Sequence, residues 1–126
     1  MGERVLIVDD NPTNLKLVAY LVKANGYEVD TAADADAAVA AIRASKPRVI
    51  LMDIQLPGID GLELTRRLKA DPETRDIAII AVTAYAMKGD EEKALAAGCD
   101  DYVTKPIDTR ALPQVIARHV QNRGRA

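Results

Sequence analysis

Residues 5–12 of the chain read VLIVDDNP, and the secondary structure that they favour changes partway along. The aliphatic residues at 5–8 form an unbroken apolar run, which is typical of a strand buried on both faces of a sheet. Asn11 is a residue type that caps helices, and Pro12 suits the first helical position. Apolar residues then recur at helical spacing, at Leu15, Val18, Ala19 and Val22. The sequence therefore predicts a strand followed directly by a helix, with two aspartates at the junction.

The same alternation continues along the rest of the chain. Further strands are predicted at 27–32, 49–52 and 77–82, and Tyr102 and Val103 end a fifth strand. Helices are predicted at 34–44, from Asp60 through Leu68, at 87–97 and at 109–121, with Gly26 and Gly98 ending the first and the fourth helix. Repeated strand–helix units with apolar strands predict an α/β fold: one doubly wound, five-stranded parallel sheet with five helices on its two faces.

Length and composition restrict the class of protein. The chain has 126 residues, which predicts one domain spanning 1–126. It has 17 Lys and Arg against 19 Asp and Glu, a net charge of −2, and this balance argues against a general nucleic-acid-binding protein. No apolar run approaches the roughly 18 residues of a membrane-spanning helix. Cys99 is the single cysteine, so we expect no intramolecular disulfide, a reducing compartment and a small buried side chain.

Polar residues stand at the ends of the predicted strands. Asp9 and Asp10 follow the first strand, and Asp53 follows the third. Thr83 ends the fourth strand, and Lys105 follows the fifth. Because the carboxyl ends of parallel strands meet at one edge of the sheet, we expect these side chains to lie together. Three neighbouring carboxylates repel one another unless a cation offsets them or one takes up a proton. A set of oxygen ligands favours a hard divalent ion, most naturally Mg²⁺.

The same residue types suit phosphoryl transfer. A carboxylate can attack phosphorus to form an aspartyl phosphate, while a metal ion and a lysine neutralise charge on the transferring group. The chemistry alone does not choose the nucleophile among the three acids. We favour Asp53, which stands alone after a central buried strand, because the adjacent Asp9 and Asp10 suit a metal-holding pair. A turn or a helix cap would also explain either acidic site taken singly.

Several motifs together resemble a known family. The chain resembles the receiver domain of bacterial two-component response regulators. Its sequence resembles in particular single-domain regulators of the DivK type and receivers of hybrid kinases. The motifs that carry the resemblance are 5–10, 51–58, 81–84 and 103–107. The resemblance implies a flavodoxin-like sheet with strand order 2-1-3-4-5. It also implies a bacterial, cytoplasmic protein that acts in a phosphorelay.

The resemblance assigns a role to each acid. Asp53 would accept a phosphoryl group from a phosphohistidine on a sensor histidine kinase or a histidine phosphotransfer protein. Asp10 and Asp53 would bind Mg²⁺ directly, together with the backbone carbonyl of Gln55. Asp9 would act through a water molecule on the metal.

The resemblance assigns the remaining site residues to charge pairing and switching. Lys105 would pair with the phosphoryl group, and the Lys105–Pro106 peptide bond would be cis. Thr83 would move toward the phosphoryl group and Tyr102 would turn inward, which makes a two-state switch. A fixed packing role for Tyr102 is the plainer alternative.

The resemblance also implies partners. Kinase docking would use the first helix, through Asn14, Leu15 and Val18, and the loop at 106–107. A downstream signalling protein would bind the face formed by the fourth helix, fifth strand and fifth helix. We expect a monomer with no output domain, because the last predicted helix leaves only a short tail. We expect His119, late in that helix, to be a surface or packing residue.

Two other functions fit parts of the pattern. A small phosphohydrolase would share the metal and the nucleophile, but it usually needs a second acid two residues beyond the nucleophile. Gln55 stands there and cannot titrate, so we expect no enzyme activity beyond the chain's own phosphoryl transfer and slow autodephosphorylation. The second alternative is a receiver taken from a larger hybrid kinase or transcription factor.

Overall fold

A computed structural model describes residues 3–54, 61–83, 90–104 and 109–124, with backbone alone at 90–91 and 121–124. Within these ranges the chain forms five strands, β1 (Arg4–Val8), β2 (Glu28–Ala32), β3 (Val49–Asp53), β4 (Ala78–Thr83) and β5 (Asp101–Thr104). It forms five helices, α1 (Pro12–Ala24), α2 (Ala35–Ala44), α3 (Gly61–Ala70), α4 (Asp90–Ala97) and α5 (Ala111–Gly124). No helix in the described ranges is long and apolar enough to span a membrane.

The strands form one parallel sheet in the order β2-β1-β3-β4-β5. This confirms the predicted doubly wound, flavodoxin-like α/β fold. Register brings the ends of neighbouring strands level, with Val8 opposite both Ala32 and Met52, and Asp53 opposite Val82. The chain therefore returns to the same edge of the sheet after every strand, which is where Asp9, Asp53 and Thr83 lie.

Alternate residues of the central strands face opposite sides of the sheet, and each side has its own hydrophobic core. One core packs α1 and α5 against the sheet through Val18, Val22, Leu112 and Ile116. The other core packs α2, α3 and α4 through small and aliphatic residues, which include Ala38, Ile42, Leu64, Leu68 and Ala94. Burial on both faces explains why the central strands are unbroken apolar runs.

The helix starts and stops follow local chemistry. The Asn11 side chain accepts hydrogen bonds from the backbone N–H groups of Thr13 and Asn14, at 2.9 and 3.2 Å, which confirms the predicted cap of α1. Gly26 and Gly98 have positive φ and follow the ends of α1 and α4, which confirms both predicted stops.

The last helix is present as predicted and begins two residues after the expected start at about Thr109. Residues 109–110 form a turn, and α5 runs from Ala111 to Gly124. Pro113 explains the later start, since a proline lacks the N–H of a helix interior and is tolerated only within the first turn. The predicted start of the fourth helix at Met87 lies outside the described residues.

A largely buried lysine fixes the connection between α3, β4 and β5. Lys69, whose side chain is 17% exposed, donates hydrogen bonds to the carbonyl oxygens of Arg75 and Ile77 and to Asp100. The same Asp100 oxygen also accepts the backbone N–H of Ile79 at 2.9 Å. One ammonium group therefore links three segments on the side of the sheet that holds α4.

We expect Lys69→Met to lower the free energy of unfolding by about 1–2 kcal/mol, because two backbone carbonyls and the Asp100 carboxylate, whose side chain is 28% exposed, lose a charged donor. Urea unfolding followed by circular dichroism measures this. Lys16→Met, at an exposed position of α1, is the control and should change stability by less than about 0.5 kcal/mol. Equal stability of the two variants would show that the lysine contacts contribute little.

Candidate functional site

Three carboxylates converge at the carboxyl edge of the sheet. Asp9, Asp10 and Asp53 each place one oxygen so that all three oxygens lie within 4.8 Å of one another. Asp9 and Asp53 are buried, at 6% and 4% exposure, whereas Asp10 is exposed. The cluster therefore has a buried base and one side open to solvent.

Strand register produces this convergence. Because Val8 lies opposite Met52, the residues that follow β1 reach the same level as the end of β3. The backbone N–H of Asp9 continues the ladder by donating to the carbonyl of Ala32 at 3.0 Å. The predicted meeting of the two acidic stretches is thus confirmed, and its cause is parallel pairing at the centre of the sheet.

Asn11 orients one of the three acids. Its backbone N–H donates to Oδ1 of Asp9 at 2.9 Å, while its side chain caps α1. The first turn of α1 and the buried carboxylate are therefore held in a fixed relation. The sequence predicted that Asn11 caps α1, but it did not reveal the contact of Asn11 with Asp9.

Gly61, the first residue of α3, is a second residue that sequence reasoning missed. A Cβ atom there would overlap the backbone oxygen of Asp53 and lie 2.7 Å from Cα of Ile54. The N–H of Gly61 donates to the carbonyl of Ile54 at 3.2 Å, and the Gly61 carbonyl accepts the hydroxyl of the buried Thr65 at 2.8 Å. Helix α3 can approach the acidic cluster this closely only because residue 61 has no side chain.

Thr83 and Tyr102 occupy neighbouring strands on the same side of the sheet. Thr83 is fully buried at the end of β4 and pairs with Thr104, while Ala81 pairs with Tyr102. Tyr102 is partly buried and packs against the core that also holds α4. A change at Thr83 can therefore reach Tyr102 through directly adjacent side-chain positions.

Some predicted site residues lie outside the described part of the chain. These are Gln55, Lys105 and Pro106, so the carbonyl ligand, the lysine pair and the cis peptide bond stay predictions.

Two further polar residues prove to be packing groups. Cys99 is buried as predicted, and burial chiefly raises the pKa of its thiol, with Asp100 acting in the same direction and Thr65 and Lys69 opposing it. His119 is only 13% exposed, and its Nε2 lies 2.9 Å from Oδ2 of Asp101. This contact connects α5 to the first residue of β5.

The first helix corrects one predicted contact. Val18 was expected at the docking edge of α1, but it is 4% exposed and belongs to the core. Leu17 and Tyr20 are the apolar residues that α1 presents to solvent, at 51% and 75% exposure. The 3.6-residue period places Leu17 and Tyr20 on the face opposite the sheet.

The donor set fits a hard divalent cation. Three carboxylates close enough to contact one ion provide the oxygen ligands that Mg²⁺ prefers, and the exposed side of the cluster leaves room for water ligands. Within the described ranges no histidine or cysteine joins the cluster, which disfavours zinc. The arrangement can hold a cation beside a buried carboxylate.

Comparison with known proteins gives consistent matches. Residues 5–117 match the response regulator receiver domain family. The chain is 45% identical over 120 residues to the polar-differentiation response regulator DivK of Brucella anthropi, which covers 95% of this chain and 98% of that relative. The DivK protein of Brucella abortus strain S19 is 45% identical over the same shares of both chains.

Two solved receiver domains share the fold over nearly their whole length. A CheY-like receiver domain protein of Methanospirillum hungatei superposes with a TM-score of 0.90 at 31% identity, covering 99% of this chain and 98% of that one. The receiver domain of a sensor histidine kinase from Pseudomonas aeruginosa gives a TM-score of 0.87 at 36% identity, covering 96% and 99%. That receiver has a magnesium ion coordinated in its active-site cleft.

Proposed function

Because the chain belongs to the response regulator receiver domain family, we propose that it is a phosphorylatable signalling switch whose phosphoryl group is carried by Asp53. The family consists of signalling switches and not of metabolic enzymes. The observation that carries the proposal is the convergence of Asp9, Asp10 and Asp53 within 4.8 Å at the carboxyl edge of the sheet.

The donor is a phosphohistidine on a sensor histidine kinase or a histidine phosphotransfer protein. A carboxylate oxygen of Asp53 attacks phosphorus, a P–O bond forms, and the P–N bond to the imidazole breaks. The electron pair of that bond stays with the imidazole nitrogen, so the histidine leaves in its neutral form once it is protonated. The phosphoryl group ends as a mixed anhydride on Asp53, which water later hydrolyses slowly.

Mg²⁺ would be held directly by Asp10, Asp53 and the backbone carbonyl of Gln55, and through water by Asp9. When bound, the ion offsets the negative charge of the carboxylates and of the transferring group. The three acids also form a site from one chain, so transfer takes place on a monomer. Lys105 supplies the second positive charge in this proposal.

Phosphorylation with acetyl phosphate tests the proposal. Intact-mass spectrometry of the protein incubated with acetyl phosphate and Mg²⁺ should show one phosphoryl adduct, and EDTA should abolish it. An adduct that forms equally well with EDTA would contradict the metal-assisted site. A folded protein that is labelled neither by acetyl phosphate nor by a phosphorylated histidine phosphotransfer protein would contradict the switch itself.

Removing one direct ligand should weaken metal binding strongly. We expect Asp10→Asn to raise the Mg²⁺ dissociation constant by about 10- to 100-fold, because an amide oxygen carries no net charge. Isothermal titration calorimetry measures the constant. Asp36→Asn, an exposed aspartate on α2, is the matched control and should bind Mg²⁺ like the unaltered chain. Unchanged affinity in Asp10→Asn would remove Asp10 from the ligand set.

The switch in this proposal uses Thr83 and Tyr102. Thr83 donates its hydroxyl to a phosphoryl oxygen, and Tyr102 turns further into the core on the same side of the sheet. Adjacent pairing of β4 and β5 supports this coupling. The altered surface comprises α4, β5 and α5, where a downstream signalling protein binds. Leu95 of α4, 50% exposed, belongs to this surface.

Docking of the phosphodonor uses the exposed face of α1. We expect Leu17→Ala with Tyr20→Ala to slow transfer from a phosphorylated histidine phosphotransfer protein by about 10-fold or more, because two apolar contacts are lost. Autoradiography of the transfer reaction measures the rate. Labelling by acetyl phosphate is the internal control and should stay unchanged. An equal loss with both donors would indicate damage to the site and not to docking.

Phosphohydrolase activity is the alternative that shares this chemistry. It would require many turnovers on a phosphomonoester such as p-nitrophenyl phosphate. We expect no turnover above background, because residue 55 is a glutamine and cannot act as a general acid or base.

A further inference from the structure

A groove runs between α2 and α3 on the side of the sheet away from α1 and α5. It holds about 720 Å³, and aliphatic side chains, including Val39, Ile42, Leu64 and Leu68, line it. Charged side chains stand along its rim, on α2 and its C-terminal extension, on α3, and on the segment after α3. Within the part of the chain that the structure describes, none of the proposed phosphorylation and docking residues lines this groove.

Most rim cations already have ion partners. Lys46 contacts Asp76 at 2.8 Å, and Arg67 contacts Glu63 at 3.3 Å. Asp36 and Arg43 differ, because both are exposed and neither is in an ion pair among the described residues. On a helix, a charged side chain can pair with an opposite charge three or four residues away. Between Asp36 and Arg43 those positions are occupied by the uncharged Val39 and Ala40.

Asp36 and Arg43 lie seven residues apart on one face of α2, about 10.5 Å along the axis. Val39 and Ala40 lie midway between them on the same face. A second α2 that runs antiparallel across this midpoint places its arginine beside the first aspartate and its aspartate beside the first arginine. The charge pattern of α2 is therefore complementary to itself about a two-fold axis.

We infer that two copies of this chain associate through an antiparallel α2–α2 contact, in which Asp36 of each copy pairs with residue Arg43 of the other. The helix of each copy lies along the α2–α3 groove of the other, over its aliphatic lining. Alanine at position 40 lets the helices approach closely, and the antiparallel arrangement also opposes their dipoles favourably. Helices α1 and α5 stay free, because they pack on the other side of the sheet.

The contact predicts a weak, reversible dimer. Two helices of ten residues bury less surface than a stable interface requires, so we expect a dissociation constant on the order of 100 μM or weaker. Exposed ion pairs are screened by salt, so dissociation should increase with NaCl concentration. Below this concentration range the chain is the monomer in which phosphoryl transfer takes place.

Charge reversal tests the contact. Sedimentation equilibrium at up to about millimolar protein is the measurement. We expect Asp36→Arg and Arg43→Asp, each alone, to weaken association by about tenfold, because each turns both ion pairs into like-charge pairs. The double variant should associate like the unaltered chain, since both pairs are restored with reversed sign. Circular dichroism melts show that each variant is folded.

An equal mixture of the two single variants is the most specific test of the contact. In a mixed dimer, one copy supplies two arginines and the other two aspartates, so both pairs form and dimers should reappear. Lys23→Asp on α1 is the control for net charge and should leave association unchanged. A chain that stays monomeric throughout, single variants that associate normally, or a mixture that fails to dimerise would each overturn the α2 contact.

Discussion

Asp53→Asn should take up no phosphoryl group from acetyl phosphate or from a phosphorylated histidine phosphotransfer protein, a loss of at least about 1,000-fold in rate. The amide that replaces the carboxylate has no anionic oxygen to attack phosphorus. Substitution by asparagine keeps the size of the side chain, which matters at a position that is 4% exposed and paired to β4. Intact-mass spectrometry after incubation with Mg²⁺ measures the adduct.

Two comparisons make the result specific to Asp53. Asp9→Asn should still be labelled, although more slowly, since Asp9 acts in the account only through water on the metal. A circular dichroism melt of Asp53→Asn close to that of the unaltered chain shows that the fold is intact. Normal labelling of Asp53→Asn would mean that another aspartate of the cluster is the acceptor.

Gly61→Ala should destabilise the chain by about 3 kcal/mol or more and impair Mg²⁺-dependent labelling. The added methyl group would overlap the backbone oxygen of Asp53, so either α3 or the end of β3 must move. Movement of β3 shifts the acceptor carboxylate relative to Asp9 and Asp10. Urea unfolding gives the stability, and the acetyl phosphate assay gives the rate.

Gly26→Ala is the matched control. Gly26 has φ near +91°, but a Cβ atom there meets nothing within 4 Å, so the cost is limited to backbone strain of about 1 kcal/mol. Its phosphorylation rate should equal that of the unaltered chain. If Gly61→Ala were as stable and as active as Gly26→Ala, the close approach of α3 to Asp53 would be unnecessary for stability and for phosphorylation.

The sheet could be predicted because its central strands are buried on both faces. Runs such as 5–8 and 49–52 are continuous and aliphatic, and each is followed by a helix with a 3.6-residue apolar period. Because the strands are parallel, the residues after each strand lie at one edge of the sheet. This is why the sequence alone predicts that Asp9, Asp10 and Asp53 lie close together.

Other features depend on contacts between elements that no local pattern encodes. The need for glycine at position 61 arises from the approach of α3 to the Asp53 backbone, whereas a single glycine in a sequence has many simpler explanations. Val18 matched the apolar period of α1, yet it was placed at the docking edge because the rotation of α1 against the sheet was unknown. The contact between His119 and Asp101 joins two residues that are 18 positions apart in the sequence.

Direct identification of the acceptor tests the central claim. The chain is phosphorylated with acetyl phosphate and Mg²⁺, reduced with sodium borohydride, digested and sequenced by tandem mass spectrometry. Borohydride reduces an aspartyl phosphate to homoserine and leaves unmodified aspartate unchanged. We expect homoserine at position 53 and unmodified aspartate at positions 9 and 10. Homoserine at position 9 or 10, with Asp53 intact, would contradict the assignment of Asp53 as the acceptor.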